Sequence, residues 1–300
     1  MAPRRIVFTG ITGLLGKYFL KNRKKGYEII GVGNKNIHLN SGNIFKIDIT
    51  DKKLVSDFIK KINPEIIVHA ASLGNVDYCE MHPDEAYQVN IEGTRNIVKA
   101  AKKINAKVIF ISSNAIYDGS NPLYDEKSKP NPIDIYGKTK MEGEKLVTKS
   151  GLRYVILRLI TMYGWPPRKG RGNPVTWIIE NLKKGQRVKV VNDIYNNHLW
   201  AGQATDAIWA VINKNITNDL FNIAGKDSLN RFDLALNTAK AFNLDTSLIS
   251  AVSSDFFKNI AKRPKDTCFN TGKMEKVLGI KPLSINKGLQ LMKQELGKIS

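Results

Sequence analysis

The sequence predicts an α/β protein: a doubly wound parallel sheet with helices on both faces, followed by a smaller, mostly helical C-terminal lobe. Three observations carry this. Short apolar runs alternate with longer amphipathic stretches through the first half, the pattern of parallel strands joined by crossover helices. A glycine-rich turn separates the first apolar run from the first helical stretch. The alternation then breaks at Gly164-Trp165-Pro166-Pro167 through Gly172-Asn173-Pro174, a passage rich in Gly, Pro and basic residues that marks a change of organisation.

Taken in order, Ile6-Val7-Phe8-Thr9 reads as a buried strand. Residues 14–25 read as a helix with Leu15, Tyr18 and Phe19 on one side. Strands follow at 28–32 and 45–47. Residues 51–62 place Leu54, Val55, Phe58, Ile59 and Ile62 at helical spacing. Residues 66–70 are a continuous apolar strand. Pro83 can open a helix at its first turn, where a missing N–H costs nothing, and that helix runs, with a break allowed, to Ile104. Residues 108–111 and 154–159 are strands, and 136–148 a helix. Later helices are expected at 175–184, 205–213, 231–242 and 254–261, with a short strand at 221–223. The expected division is a dinucleotide-binding domain over 1–163, to which 194–226 return, and a substrate-binding lobe made of 164–193 and 227–300.

Composition narrows the function classes. The chain has 300 residues, 42% hydrophobic, enough for a sizeable core. Its two cysteines, Cys79 and Cys268, exclude a disulfide framework and a Cys-rich zinc module. The apolar run after the N-terminal Met1-Ala2-Pro3-Arg4-Arg5 is too short for a signal peptide, and no run approaches the ~18 apolar residues of a membrane span. The expectation is a cytoplasmic protein with no membrane partner. The formal charge of +20, from 47 Lys and Arg against 27 Asp and Glu, raises nucleic acid as a partner. The lysines, however, lie singly or in pairs along the whole chain, with no block of five or six like charges. That pattern reads as a solvated surface rather than a nucleic-acid site. His38, His69, His82 and His198 are too dispersed for a metal site, and His69 reads as a packed, hydrogen-bonded histidine.

The strongest local signal is Thr9-Gly10-Ile11-Thr12-Gly13-Leu14-Leu15-Gly16. Glycines at this spacing, between a strand and a helix, suit a dinucleotide pyrophosphate: Gly10 permits the tight turn, Gly13 the approach of backbone to phosphate, and Gly16 close packing of helix on sheet. Thr12, Leu14 and Leu15 complete the loop. The second strand ends Gly31-Val32-Gly33-Asn34-Lys35-Asn36, without an acidic residue to bind an adenosine ribose diol. Asn34 and Lys35 could instead hold a 2′-phosphate, which favours NADP(H) over NAD(H); Lys35 as an ordinary surface lysine is the alternative. Asp48 and Ile49 close the next strand, where Asp48 could accept from an adenine amino group, and Thr50 or Asp51 could cap the following helix. Tyr136 and Lys140 stand at i and i+4 on one helix face. A nearby ammonium lowers a phenol's pKa, and a phenol so tuned can pass a proton to a carbonyl oxygen as hydride arrives. Ser113 ends the fifth strand, beyond whose carboxyl end ligands bind, and can donate to the same oxygen.

These segments resemble a family. The glycine loop, His69-Ala70-Ala71, Val89-Asn90-Ile91-Glu92-Gly93-Thr94, Ile111-Ser112-Ser113, Tyr117-Asp118-Gly119 and Tyr136-x-x-x-Lys140 are similar to the extended short-chain dehydrogenase/reductases. Tyr117-Asp118-Gly119, Tyr136 through Glu144, and Arg263-Pro264 before Leu278-Gly279-Ile280 are similar to the dTDP-4-dehydrorhamnose reductase family in particular. The resemblance spans nearly the whole chain. It implies a Rossmann fold and NAD(P)H-dependent reduction of a 4-keto nucleotide sugar. Carried over, it makes Ser113 the group that orients the ketone, Tyr136 the general acid, and Lys140 the group that tunes Tyr136 and binds ribose. Ala70, Ala71 and Ser72 would line the cofactor. Asn90 would support either the cofactor or a strand, and Arg263 would contact substrate phosphate or form a structural ion pair. Where the family has Thr-Asp-Tyr-Val-Phe-Asp-Gly, this chain has Ser113-Asn114-Ala115-Ile116-Tyr117-Asp118-Gly119. The hydroxyl survives at Ser113. Asn114 falls on the sugar side, and the aromatic is lost at Ala115, which leaves the sugar itself open. Asn114-Ala115 lack the acid pair that would eliminate water. The alternatives are an NAD-dependent nucleotide-sugar epimerase and a non-catalytic NADP-binding regulatory subunit; homodimeric assembly stays open.

Overall fold

The computed structural model describes residues 3–34, 43–168, 170–257 and 261–296. Its strands, in chain order, are β1 (Arg4–Thr9), β2 (Tyr27–Gly33), β3 (Ile44–Lys46), β4 (Ile66–His69), β5 (Lys107–Ser113), β6 (Tyr154–Leu159), β7 (Met162–Tyr163), β8 (Val188–Val191), β9 (Tyr195–Asn196), β10 (Leu199–Trp200), β11 (Asp219–Ile223), β12 (Leu229–Asn230) and β13 (Ile249–Val252). Seven of them form one parallel sheet in the order β11-β6-β5-β4-β1-β2-β3. The helices are α1 (Leu14–Lys21), α2 (Lys52–Ile62), α3 (Val76–Met81), α4 (Pro83–Tyr87), α5 (Gly93–Lys103), α6 (Ile135–Thr148), α7 (Pro174–Lys183), α8 (Ala201–Asn213), α9 (Arg231–Ala241) and α10 (Ile285–Leu296).

The two-residue period of the strands builds two cores. Ile6 and Phe8 of β1, with Ile109 and Ile111 of β5, meet α1 and α8 on one face. Val7, Val108 and Phe110 meet α2, α5 and α6 on the other. Side chains alternate across the sheet, so an all-apolar strand needs both faces covered. Strand order reverses between β1 and β4, which opens a crevice at the carboxyl ends of those strands.

Apart from β11 and α8, which join the main sheet and its core, the elements beyond β6 build smaller layers: β7 pairs with β10, β9 with β12, and β8 with β13. Val175, Ile179, Leu234, Leu289 and Met292 form one further core, and Ile178, Leu182, Val188, Ala235 and Ile249 another.

Several local expectations change. α1 stops at Lys21, not Lys25, with Asn22 as its C-cap, and Gly26 at φ +85° then turns the chain into β2. The expected helix over 254–261 is only a 3₁₀ turn, Ser254–Phe256; residues 258–260 lie outside the described residues. The break allowed in the long helix is a π-turn, Gln88–Glu92, between α4 and α5. α3 and α10 were not anticipated.

Gly16 shows how tightly α1 lies on the sheet: a Cβ there would sit 2.2 Å from the Ile11 carbonyl oxygen. Gly16→Ala is therefore expected to cost at least about 3 kcal/mol. Gly26→Ala, where a Cβ meets nothing within 4 Å but φ is +85°, should cost about 1 kcal/mol. Urea denaturation of both variants checks the contrast.

Candidate active site

The site grows from the carboxyl ends of β1, β4 and β5. Gly10, at φ +76°, closes the turn after β1, and a Cβ there would lie 2.8 Å from the Ala71 nitrogen. The glycine loop and residues 70–72 therefore meet backbone to backbone. Gly13 is exposed and is the N-cap of α1; no side chain caps this helix, and its first turn holds no acidic residue. Uncapped N–H groups and the positive end of the helix dipole thus face solvent at the crevice. This cradle fits a dinucleotide diphosphate. Thr12 and Leu14 are half-buried beside it. Leu15 is different: its side chain is buried in the core, so only its backbone belongs to the loop.

At the far edge of the crevice, Asn34 Nδ2 donates to Asp48 Oδ2 at 3.2 Å, while Asp48 Oδ1 accepts from the Thr50 N–H and hydroxyl. Asp51 supplies the cap of α2 by accepting from Leu54 N–H at 2.8 Å. Ile49 packs in the second core, against Gly93. Lys35 lies outside the described residues.

α6 carries Tyr136 and Lys140. Asp134 caps it by accepting from Gly137 N–H at 2.7 Å. Gly137 lets it settle on the turn after β5, since a Cβ would fall 2.0 Å from the Ala115 carbonyl oxygen. That contact brings the Tyr136 phenol beside the Ser113 and Ser72 hydroxyls. Ser113 Oγ accepts from Ala115 N–H at 3.2 Å and reaches Asn114 Oδ1 at 3.3 Å. Lys140 is buried, its ammonium 4.4 Å above the Phe110 ring.

The sequence expectation is a phenol lowered by Lys140; the net shift is instead upward. Burial dominates and pushes the phenol up to about 12, with Ser113 and Ser72 hydrogen bonds opposing. Burial also brings Lys140 down to about 8, against the pull of Glu144. Desolvation disfavours each charged form, so the site holds a protonated phenol beside an ammonium that titrates just above neutrality. Burial raises Asp134 as well.

Asn90 sits in the π-turn, a distortion common at functional sites. It supports a loop rather than a strand: Oδ1 accepts from Leu73 N–H at 2.7 Å, and Nδ2 donates to Leu73 O and to Thr139 Oγ1 at 3.2 and 2.9 Å. His69 is buried between Thr9 Oγ1 at 2.7 Å and Thr94 Oγ1 at 3.0 Å.

On the lobe side, Asn114 Nδ2 donates to Thr267 Oγ1 at 2.6 Å and Asn196 Oδ1 at 3.1 Å, tying the Ser113 turn to the lobe. Arg263 forms the ion pair: its Nη2 donates to Asp77 Oδ1 at 2.7 Å, with Asp77 also accepting from Ala261 N–H. Arg171 Nη1 reaches the Gly74 carbonyl at 3.0 Å. Both arginines thus clasp the segment after β4. Sequence reasoning missed Arg231. Asn230 pairs with Tyr195, which bridges to Asp266, and this layering sets Arg231 near Arg263. Burial and that neighbouring guanidinium both lower the Arg231 pKa, and among the described residues it has no ion pair. No signal in the sequence singles it out, because the two arginines meet only through strand pairing.

A glycine loop on the first strand of a parallel sheet, facing a Ser–Tyr–Lys set at the next carboxyl ends, defines an extended short-chain dehydrogenase/reductase. More narrowly, the chain belongs to the RmlD substrate binding domain family, whose model matches residues 4–297. Methionine adenosyltransferase 2 subunit beta of Bos taurus is 29% identical over 289 residues, covering 92% of this chain and 83% of that protein. A dTDP-4-dehydrorhamnose reductase of Aggregatibacter actinomycetemcomitans is 25% identical over 297 residues, 95% of this chain and 97% of that protein. The crystal structure of dTDP-4-dehydrorhamnose reductase from Bacillus anthracis in complex with NADP superposes with a TM-score of 0.87 at 28% identity, covering 98% of this chain and 99% of that one. No helix among the described residues is long and apolar enough to cross a membrane.

Burial sets a pH dependence on stability. His69 and His198 are both held down to about 3, chiefly by desolvation, with Lys140 and Arg231 respectively adding to it. Each is neutral when folded but takes up a proton near 6.5 when unfolded, so the stability present above pH 6.5 is lost as pH falls toward 3. Between pH 7.5 and 5 the loss should be on the order of 2 kcal/mol per histidine. Urea midpoints at the two pH values, in the wild type and in His69→Gln, measure it; the variant should lose less on acidification.

Proposed function

We propose that this chain is an NADPH-preferring reductase of a nucleotide-diphospho-4-keto-6-deoxy sugar. The observation that carries this is the placement of the Tyr136 phenol beside the Ser113 and Ser72 hydroxyls, with Lys140 one turn on along α6, next to the dinucleotide cradle. Gly10, Thr12, Gly13 and Gly16, with the backbone of Leu14 and Leu15, hold the diphosphate. Asn34, Asp48 and Ile49 border the adenosine, while Ala70, Ala71 and Ser72 line the nicotinamide half. Asn90 keeps that lining in place. Reduced nicotinamide, when bound, supplies a hydride to the sugar's carbonyl carbon.

Ser113 orients the ketone by donating to its oxygen. Tyr136 gives its phenolic proton to the same oxygen as charge develops there. Lys140 stabilises the phenolate left behind and holds the ribose. Asn114 faces the sugar. Arg231, which has no ion pair among the described residues, takes the substrate diphosphate, with Arg263 held beside it by Asp77. Residues 164–193 and 227–300 serve as the lobe that closes over the sugar.

A second reading is an NADP-binding regulatory subunit, favoured by the likeness to methionine adenosyltransferase 2 subunit beta. The readings separate in a screen of 4-keto nucleotide sugars with NADPH and NADH, followed at the nicotinamide absorbance. Turnover supports the reductase; NADPH binding without turnover on any of them, together with a copurifying catalytic partner, supports the regulatory role.

For the reductase, Tyr136→Phe is expected to lower kcat at least about 100-fold while NADPH affinity, read by fluorescence titration, stays within about threefold. The wild-type rate should fall as pH rises through about 8, where Lys140 loses its charge. Arg231→Met should raise KM for the nucleotide sugar about tenfold with little change in kcat, the pattern of a lost ground-state contact.

A further inference from the structure

A chain of buried hydrogen bonds runs from the loop beside the dinucleotide cradle to the helix of Tyr136. Ala71 N–H donates to Thr9 Oγ1 at 3.1 Å, and Thr9 Oγ1 lies 2.7 Å from His69 Nδ1. His69 Nε2 lies 3.0 Å from Thr94 Oγ1, which donates to the Asn90 carbonyl at 2.6 Å. From the side chain of the same Asn90, Nδ2 donates to Thr139 Oγ1 at 2.9 Å, and Thr139 Oγ1 donates to the Tyr136 carbonyl at 2.7 Å. Thr9, His69, Asn90, Thr94 and Thr139 are all nearly inaccessible.

Hydrogen counting fixes the direction. Thr94 spends its only hydroxyl proton on Asn90, so it must accept from His69, and His69 carries its proton on Nε2. Nδ1 is then an acceptor, which the Thr9 hydroxyl satisfies while itself accepting from Ala71. Every donor points from the cofactor loop toward Tyr136; the bonds from Ala71 to the Asn90 carbonyl polarise one another, and Asn90 joins that run mechanically to the bond from its side chain. A histidine with its proton on Nδ1 would set the Nε2 lone pair against the Thr94 oxygen and leave the Thr9 hydroxyl proton without this acceptor.

We infer that His69 is a positioning residue whose Nε2–H tautomer locks residues 70–73 and the Tyr136 helix into one unit. The distance between cofactor floor and proton donor is then set by side-chain polarity across β1, β4, the π-turn and α6, not by the loops alone. The hydrogen-bond chain stands by itself; its consequence for the cofactor rests on the reductase reading.

The test uses the full chain without ligand. Amide exchange at Ala71, followed by NMR, should speed up about tenfold in Thr139→Val, the far end of the chain, and return to the wild-type rate in Thr139→Ser. Exchange at Ile178 in α7 should not move, which separates coupling from general loosening. His69→Phe should also speed Ala71 exchange, and adding Thr139→Val should speed it less than additively, the remainder passing through the direct Asn90–Leu73 bonds. Should His69→Phe not fold, Thr94→Val replaces it, and nitrogen-15 spectra of the wild-type ring report the tautomer directly. The inference is overturned by unchanged Ala71 exchange in Thr139→Val, by additive effects in the pair, or by an Nδ1–H histidine. NADPH affinity should weaken about tenfold in Thr139→Val. A wild type that binds no NADPH sinks the cofactor reading, and the exchange result still decides the coupling.

Discussion

The buried ion pair between Arg158 and Glu144 holds the site together. Arg158, on β6, donates from Nε and Nη2 to the two Glu144 oxygens of α6 at 2.9 and 2.7 Å. Its third arm donates from Nη1 to the Tyr117 hydroxyl at 2.6 Å. Tyr117 stacks on Tyr124, whose N–H donates to the Cys268 carbonyl. One guanidinium thus links the sheet, the reactive helix, the segment after β5 and the C-terminal lobe. Desolvating two charges is expensive, and a pair in bidentate geometry recovers that cost without large net gain. What it contributes is registry: α6 can sit on the sheet only where Glu144 meets Arg158, and Tyr136 and Lys140 are carried to their places two turns and one turn earlier.

The same helix shows how one environment shifts two groups in opposite directions. Tyr136 is pushed up and Lys140 down by the same loss of water. Glu144, four residues from Lys140, offsets part of the lysine's burial. For the proposed reductase this suits proton donation by Tyr136 to a carbonyl oxygen, with the Lys140 cation one turn away. The overall charge of +20 plays little part in this. Lys140, Arg158, Arg231 and Arg263 have identifiable neighbours in the site or beneath it, and lysines such as Lys24 and Lys25 are exposed.

Much of the crevice was legible in one dimension because its parts are local. The strand-turn-helix at Thr9 through Gly16, the i, i+4 pair of Tyr136 and Lys140, and Ser113 at a strand end each follow from spacing over a few residues. The roles that shifted depend on distant neighbours. Arg263 reads equally as a phosphate contact or an ion pair until Asp77 is seen beside it. Asn90 reads as cofactor or strand support until Leu73 and Thr139 appear as its partners. Leu15 reads as part of the loop until its side chain is seen to turn into the core.

By itself the sequence determined the doubly wound sheet, the glycine cradle and the Ser–Tyr–Lys set, since periodicity and short motifs record what a chain does with its nearest neighbours. Only the tertiary structure decided the upward shift of Tyr136 by burial, the direction of the hydrogen-bond chain through His69, and the placing of Arg231 near Arg263. Those depend on desolvation and on partners tens of residues apart, which no local pattern encodes.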